Sequence, residues 1–106
     1  MEEWKNIRIN GIVEIERLVE EFEVWEHDKI PHGKFKVRVY ETSKGRFIGR
    51  TNLMIRDKTN DFCAGIGYGE NVCEALRDTI RYFFSLIDEV HDLSSDCFKY
   101  TDAMDF

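Results

Sequence analysis

The chain has 106 residues, 42% of them hydrophobic, and carries a formal net charge of −6 at pH 7. This length and apolar content fit one globular domain, residues 1–106, and argue against a disordered chain. No apolar run reaches the length of a membrane span, and three cysteines without short spacings do not form a disulfide framework. We therefore expect a reduced, cytoplasmic protein that does not coat nucleic acid over its whole surface.

The N-terminal region contains two competing patterns. The pair Asn10-Gly11, which follows alternating residues, is typical of a hairpin turn, so residues 4–18 can be interpreted as a β-hairpin. Four apolar residues instead recur at helical spacing: Ile12, Ile15, Val19 and Phe22. The glutamates between them favour a helix over a strand. We predict a first helix from about Ile12 to Val24, with the hairpin as the alternative.

From Lys34 onward the apolar period changes to two, which predicts strands. Three strands are expected over residues 34–40, 47–56 and 62–67, joined by turns at residues 42–45 and 57–60. Because such short turns connect antiparallel neighbours, the strands form a meander. In the third strand we place Phe62, Ala64 and Ile66 on the core face.

Residues 71–90 predict a long helix. Asn71 and Glu74 have the spacing of a capping box, and six apolar residues follow at steps of three and four: Val72, Leu76, Ile80, Phe83, Ile87 and Val90. Phe83 is expected to be deeply buried at the middle of this stripe. Residues 91–106 are polar and acidic with isolated aromatics, and they are expected either to be a loosely ordered tail or to pack back on the core.

The predicted fold class is α+β. An N-terminal helix, a three-stranded antiparallel meander and a long helix packed on one sheet face make a two-layer sandwich.

Charge is sorted along the chain. Residues 1–33 carry four basic and nine acidic side chains, a net charge of −5. Residues 34–60 carry eight basic and two acidic side chains, a net charge of +6. Residues 61–106 carry three basic and ten acidic side chains, a net charge of −7. The predicted strand pair is therefore basic within an acidic protein.

Two surfaces are candidates for partner binding. One is the outward face of the basic strands, with Lys36, Arg38, Arg46, Arg50 and Arg56. The other is the acidic side of the predicted first helix, with Glu14, Glu16, Glu20, Glu21 and Glu23. Arginine is favoured in protein interfaces, although a solvated face with weakly paired charges is the simpler interpretation of the basic set.

Catalytic and metal-binding patterns are weak. His27 and His32 lack further ligands at zinc-site spacing, so they are expected to be loop histidines. Cys63 and Cys73 have no base partner in the sequence and are expected to be structural thiols. The glycines at 65, 67 and 69 lack the lysine of a phosphate loop. We expect no enzyme, no catalytic residue, no metal and no cofactor.

The segment Gly69-Glu70-Asn71-Val72-Cys73-Glu74-Ala75-Leu76 resembles the strand-to-helix junction of HicB-like antitoxin domains. The meander followed by a helix fits the same layout. The aromatic turn with Asp and Pro that is typical of that family's sheet is absent here, and so is a DNA-binding module. The resemblance implies at most a small antitoxin-like or inhibitor-like binding domain. Double-stranded RNA-binding domains share the element order, but acidic Glu70, Glu74 and Asp78 stand where basic residues are expected.

These patterns favour a small acidic cytosolic module that binds another protein, for example a basic toxin or nuclease, as an inhibitor, immunity protein or antitoxin does. The alternative is a nucleic-acid-binding module that uses the basic sheet face. A third interpretation is a weakly catalytic or ligand-binding protein built around a thiol. An open sheet also leaves two edges, so a homodimer is considered.

Overall fold

In a computed structural model, which describes residues 3–106, the chain has an α+β fold with one antiparallel sheet of five strands and one long helix. The elements are β1 (Glu16–Trp25), β2 (Lys34–Thr42), β3 (Phe47–Arg56), β4 (Phe62–Gly69), α1 (Val72–Asp88) and β5 (Phe98–Tyr100). Strands β1 to β4 are neighbours in chain order, and β5 pairs with the second half of β3. Helix α1 covers one face of the sheet, mainly over β3 and β4. We call the opposite face of the sheet the outer face.

The predicted first helix is wrong, because Glu16–Trp25 forms β1 and pairs antiparallel with β2. A bulge between Leu18 and Glu20 shifts the register. As a result, the half-buried positions of the strand are Val19, Phe22 and Val24, at steps of three and two. A bulge inserts one extra residue into the period of two, so this spacing imitates the period of a helix.

The alternative hairpin is not formed either. Asn10 and Gly11 do make a turn, in which Ile12 N–H donates to the Ile9 carbonyl at 3.0 Å and Gly11 has a φ of +96°. The residues on both sides of this turn, 7–9 and 12–15, are not paired as strands. The turn signal was therefore correct, but no hairpin follows from it: within residues 4–18 only residues 16–18 lie in a strand, and they pair with β2.

The predicted meander is present as β2, β3 and β4, but it lies within a larger sheet than expected. The alternation in β2 and β3 was interpreted correctly. Their inward side chains form most of the buried core: Phe35, Val37, Val39, Leu53 and Ile55. Burial of such aliphatic and aromatic side chains contributes roughly 1.5–3 kcal/mol each, which makes this face the main source of stability.

The long helix is confirmed with its start signal. Asn71 Oδ1 accepts from the Glu74 N–H at 2.8 Å, and Glu74 Oε1 accepts from the Glu70 N–H at 3.1 Å. Phe83 is fully buried against Phe35, with ring centroids 5.2 Å apart. The centre of the buried stripe, however, runs through Ala75, Thr79, Phe83 and Ile87, and the predicted stripe residues Val72, Leu76, Ile80 and Val90 flank it as half-buried contacts.

The two faces of β4 are the reverse of the prediction. Ile66 is 40% exposed, while Gly65, Gly67 and Gly69 are buried against α1. A methyl group on Gly65 would lie 2.6 Å from Phe83 Cβ, and one on Gly69 would lie 2.5 Å from Ala75 N. Only glycine allows a backbone approach this close. The backbone of α1 therefore packs directly against the glycines of β4, and no apolar side chain of β4 lies between the strand and the helix at these positions.

The acidic C-terminal segment packs back on the sheet. Residues Phe98–Tyr100 pair with Leu53 to Ile55 of β3, and Thr101 N–H donates to the Asn52 carbonyl at 2.7 Å. The chain then crosses the outer face and ends at Phe106, whose carbonyl accepts from Tyr40 Oη at 3.1 Å.

Candidate binding surfaces

Acidic residues of β1 and basic residues of β2 face each other across the outer face of the sheet. The register places Glu21 opposite Arg38, and Arg38 Nε donates to Glu21 Oε1 at 2.7 Å. Lys36 Nζ lies 3.8 Å from the other oxygen of the same carboxylate. The pKa of Glu21 is lowered from its ordinary value, mainly by the hydrogen bond from Arg38 and to a smaller extent by the positive charge of Lys36. Burial acts in the opposite direction and raises it.

A second acidic residue of β1 reaches further across the sheet. Glu16 accepts two hydrogen bonds from Arg50 of β3, each 3.1 Å long, in the two-pronged geometry that suits a guanidinium and a carboxylate. The Arg50 guanidinium also lies 4.9 Å from the centre of the Tyr40 ring. We call these contacts, Glu16 with Arg50 and Glu21 with Arg38 and Lys36, the cross-strand ladder.

The cross-strand ladder joins the two sets of residues that the sequence predicted as separate binding surfaces. Lys36, Arg38 and Arg50 of the basic set are paired within the chain. Glu16 and Glu21 of the acidic set are their partners, and Glu23 lies 3.3 Å from Lys34. Each set was expected to bind a partner. In the structure, three of the five basic residues and two of the five acidic residues bind each other within the chain.

The remaining predicted residues lie elsewhere. Arg46 is exposed in the turn before β3, and Arg56 donates to the Asp96 carbonyl at 3.2 Å. Glu14 precedes β1, and Glu20 lies opposite Val39 after the bulge. The structure therefore does not gather either set into one patch.

The C-terminal segment covers part of the outer face. The Arg38 guanidinium lies 4.3 Å from the centre of the Phe106 ring. Tyr100 Oη donates to the carbonyls of Pro31 and Lys34, at 3.2 and 3.1 Å. The isolated aromatics at 98, 100 and 106 were the sequence signal for this packing, but they did not reveal which surface they would contact.

The two edges of the sheet differ in their protection. Strand β1 carries a bulge and five charged residues, Glu16, Arg17, Glu20, Glu21 and Glu23. Strand β4 has no charged residue, and among residues 3–106 no strand pairs with its other side. Natural proteins usually protect an edge strand with charges, bulges or a covering segment. The β4 edge is therefore an exception. The predicted three-stranded sheet already placed this strand at an edge, whereas the other predicted edge, β2, is covered by β1.

A shallow groove runs along the β4 edge. It is lined by Cys63, Ala64, Ile66 and Tyr68 of the strand and by Asp78 and Tyr82 of α1. Tyr68 is 53% exposed and Tyr82 is 47% exposed. We call these six residues the edge groove. It combines an open backbone edge with exposed aromatic side chains, which are favoured in protein interfaces.

Acidic residues border both ends of this uncharged strand. Asp57 and Asp61 precede it, and Glu70 and Glu74 follow it. Asp57 is held in its turn by the Thr59 hydroxyl at 2.7 Å and by Cys63 Sγ at 3.2 Å. These hydrogen bonds, with the one from Asp61 N–H, lower the pKa of Asp57 to about 2. The carboxylate is therefore ionised at any physiological pH.

Two of the cysteines that the sequence singled out, Cys63 and Cys73, lie in different surroundings. The hydrogen bond to Asp57, together with burial, raises the pKa of Cys63, which disfavours its thiolate. Cys73 is exposed at the start of α1, 3.8 Å from Arg77 Nη2. Within residues 3–106, no group of three or more His, Cys, Asp or Glu side chains is arranged to hold a metal ion.

Comparisons with known proteins add no relatives. No family model, curated protein or solved structure matches the chain. In the part of the chain that the structure describes, no helix has the length and apolar character needed to cross a membrane.

Proposed function

We propose that this protein is a small cytosolic binding module for a basic partner protein, of the inhibitor, immunity or antitoxin kind. The observation that carries the proposal is the cross-strand ladder. It pairs basic residues of the central strands with glutamates of the same chain, while acidic residues remain at the ends of an open, uncharged strand edge. A partner with positive charge is attracted to such a surface, and complementary charge accelerates and orients association.

Nucleic-acid binding through the outer face is supported less well. Phosphate contacts need accessible Lys and Arg side chains. Here Arg38 and Arg50 already contact carboxylates, and Phe106 packs on Arg38. A nucleic acid would have to displace both the glutamates and the C-terminal segment to reach these guanidinium groups.

The test is affinity capture of the tagged chain from its native host, followed by identification and stoichiometry of what is retained. The expected result is one stoichiometric protein of basic isoelectric point that is released by raised salt, since exposed charges are screened within about 8–10 Å at physiological ionic strength. Recovery of no stoichiometric partner, or of an acidic one that is insensitive to salt, would contradict the proposal.

Charge-reversal variants make this test specific. Glu70→Lys changes an exposed side chain at one end of β4 while leaving the Glu70 N–H that donates to Glu74. It is expected to weaken capture of the basic partner. Glu14→Lys makes the same charge change at an exposed position before β1 and serves as the matched control. Equal effects of the two variants would mean that only the net charge of the protein matters.

A further inference from the structure

We infer that the partner docks at the β4 edge by adding a β-strand of its own, with apolar or aromatic side chains at its centre and Lys or Arg at its ends. This inference rests on the proposed function and names the surface and the partner chemistry. Strand addition of this kind uses main-chain hydrogen bonds for affinity and alternate side chains for specificity.

The backbone of β4 presents hydrogen-bonding groups to the open edge. Gly65 N–H points toward β3 and donates to Thr51 Oγ1 at 2.8 Å. Tyr68 N–H points the other way and donates to Asp78 Oδ2 at 2.9 Å. Since the N–H and C=O groups of an antiparallel strand alternate in direction, those of Ile66 face the open edge with Tyr68. An added strand can therefore exchange a pair of hydrogen bonds with Ile66.

The side chains around Ile66 suit an added strand on both faces of the sheet. Ile66 and Tyr68 extend the outer face, while Tyr82 of α1 stands over the edge on the inner side. An added strand would thus bury apolar surface of Ile66 against one set of its own side chains and contact Tyr82 with the alternate set. These side-chain contacts on both faces would stabilise the added strand in addition to its backbone hydrogen bonds.

Charge decides what kind of strand fits. Asp61 lies at one end of the open edge, and Glu70 and Asp78 lie at the other. Basic residues at both ends of an incoming strand would meet these carboxylates, whereas acidic residues would be repelled. The centre of the strand must be uncharged because β4 offers no charged partner there.

A second copy of this chain fits less well. Antiparallel pairing of two β4 strands about Ile66 would bring Phe62 opposite Glu70 of the other copy and Asp61 beside it. This arrangement places Asp61 near Glu70 at each end of the interface, and like charges across strands are destabilising. The acidic ends therefore favour a basic partner over self-association.

The experiment is an NMR titration of the full-length ¹⁵N-labelled chain with a synthetic ten-residue peptide of alternating valine and threonine that has two lysines at each end. We expect shift changes concentrated in residues 62–69 and around Tyr82, and a linear fall of log affinity with log salt. Two control peptides keep the alternation. One carries glutamates at its ends, and the other has N-methyl groups on alternate residues, which remove the donors along one edge.

Two protein variants locate the site. Ile66→Pro removes the outward N–H at an edge position, where proline is tolerated, and should weaken peptide binding about fivefold or more, as expected for loss of a backbone hydrogen bond. Tyr82→Ala removes the exposed side chain above the edge and should also weaken binding. Arg81→Ala changes a neighbouring exposed residue of α1 and should leave the affinity unchanged. If Ile66→Pro does not fold, the N-methylated peptide and Tyr82→Ala carry the same test.

The outcomes separate the inference from the proposed function. Strand addition at β4 would be overturned by the absence of shift changes at millimolar lysine peptide, by equal binding of the glutamate-ended peptide, or by changes confined to β1, β2 and β3. A concentration-dependent dimer of the free chain with shift changes in residues 62–69 would assign the edge to a second copy and overturn the basic partner. Capture of a basic protein that protects a different surface would leave the proposed function standing and remove the inference alone.

Discussion

The carboxylate of Asp78 accepts a hydrogen bond from the backbone N–H of Tyr68 at 2.9 Å. Helix α1 thereby covers one donor at the end of an otherwise open strand. Covering an edge with a helix is one way in which proteins discourage edge-to-edge pairing between copies. In this chain it protects only one end of β4 and leaves the backbone at Ile66 open.

The first prediction follows from this contact. Asp78→Ala frees Tyr68 N–H and removes one carboxylate from the edge, so it is expected to increase self-association of the purified chain. Sedimentation velocity over a range of micromolar concentrations measures this effect. Arg81→Ala is the control, because it removes an exposed charge of α1 that does not line the edge groove. An Asp78→Ala variant that sediments like the wild type at every concentration would show that Asp78 does not protect the edge.

The second prediction concerns the buried stripe of α1. Phe83→Ala leaves a cavity beside Phe35 and is expected to lower the free energy of unfolding by about 3–5 kcal/mol. Arg81→Ala, on the exposed side of the helix, should change it by less than about 0.5 kcal/mol. Urea unfolding of both variants provides the comparison. Equal losses would mean that the helix does not rest on the sheet through Phe83.

The third prediction tests the close approach of α1 to the sheet. A methyl group on Gly49 would overlap the Thr79 hydroxyl, whereas one on Gly67 would overlap the backbone of Asp78 and Thr79. Each glycine-to-alanine change should destabilise the fold by about 1–3 kcal/mol. Thr79→Ala should partly relieve Gly49→Ala, because it removes the overlapping oxygen, and should not relieve Gly67→Ala.

Double-mutant cycles measured by urea unfolding separate these two cases. A favourable coupling energy is expected for the Gly49 pair and none for the Gly67 pair. Similar coupling energies in both cycles would indicate that the whole helix moves away from the sheet in each glycine variant, so that the overlap is not confined to the atoms nearest each glycine.

The fourth prediction is a pH dependence of stability from Asp57. Its folded-state pKa of about 2 lies below the ordinary value of 3.8, so its stabilising contribution is complete above 3.8 and is lost as the pH falls through about 2. The stability difference between the wild type and Asp57→Asn should therefore shrink over this range. Chemical unfolding at a series of pH values measures it.

A second variant identifies the cause of this dependence. Thr59→Val removes the hydroxyl that donates to Asp57 with little change in size. It should reduce the same pH-dependent difference. If the difference in stability between the wild type and Asp57→Asn does not change with pH, the pKa of Asp57 is not lowered in the folded chain.

Sequence periodicity predicted the elements whose pattern is uninterrupted. Helix α1 and strands β2 and β3 keep a constant period over most of their length, so their faces could be assigned from local spacing. Strand β1 could not, because its bulge changes the period within the element. The glutamates of β1 favoured a helix in the sequence because their partners are distant along the chain. The partner of Glu21 lies 17 residues away, and the partner of Glu16 lies 34 residues away.

The candidate sites were harder to predict because they depend on which elements become neighbours. Local charge identified Arg38 and Glu21 as notable but could not show that they bind each other. The sequence showed only that the glycines of β4 do not form a phosphate loop, whereas in the structure they allow the close approach of α1. The predicted meander correctly left residues 62–67 at an open edge, but it did not show that β1 covers the other edge, because that pairing joins distant residues.

The most direct test is amide hydrogen exchange of the chain with and without its captured basic partner. We expect slower exchange of residues 62–69 in the complex, with the amide of Ile66 the most strongly protected of that strand. Exchange in β1 and in the cross-strand ladder should be unchanged. Protection confined to residues 16–25 or to the outer face, with β4 exchanging as in the free chain, would contradict strand addition at this edge.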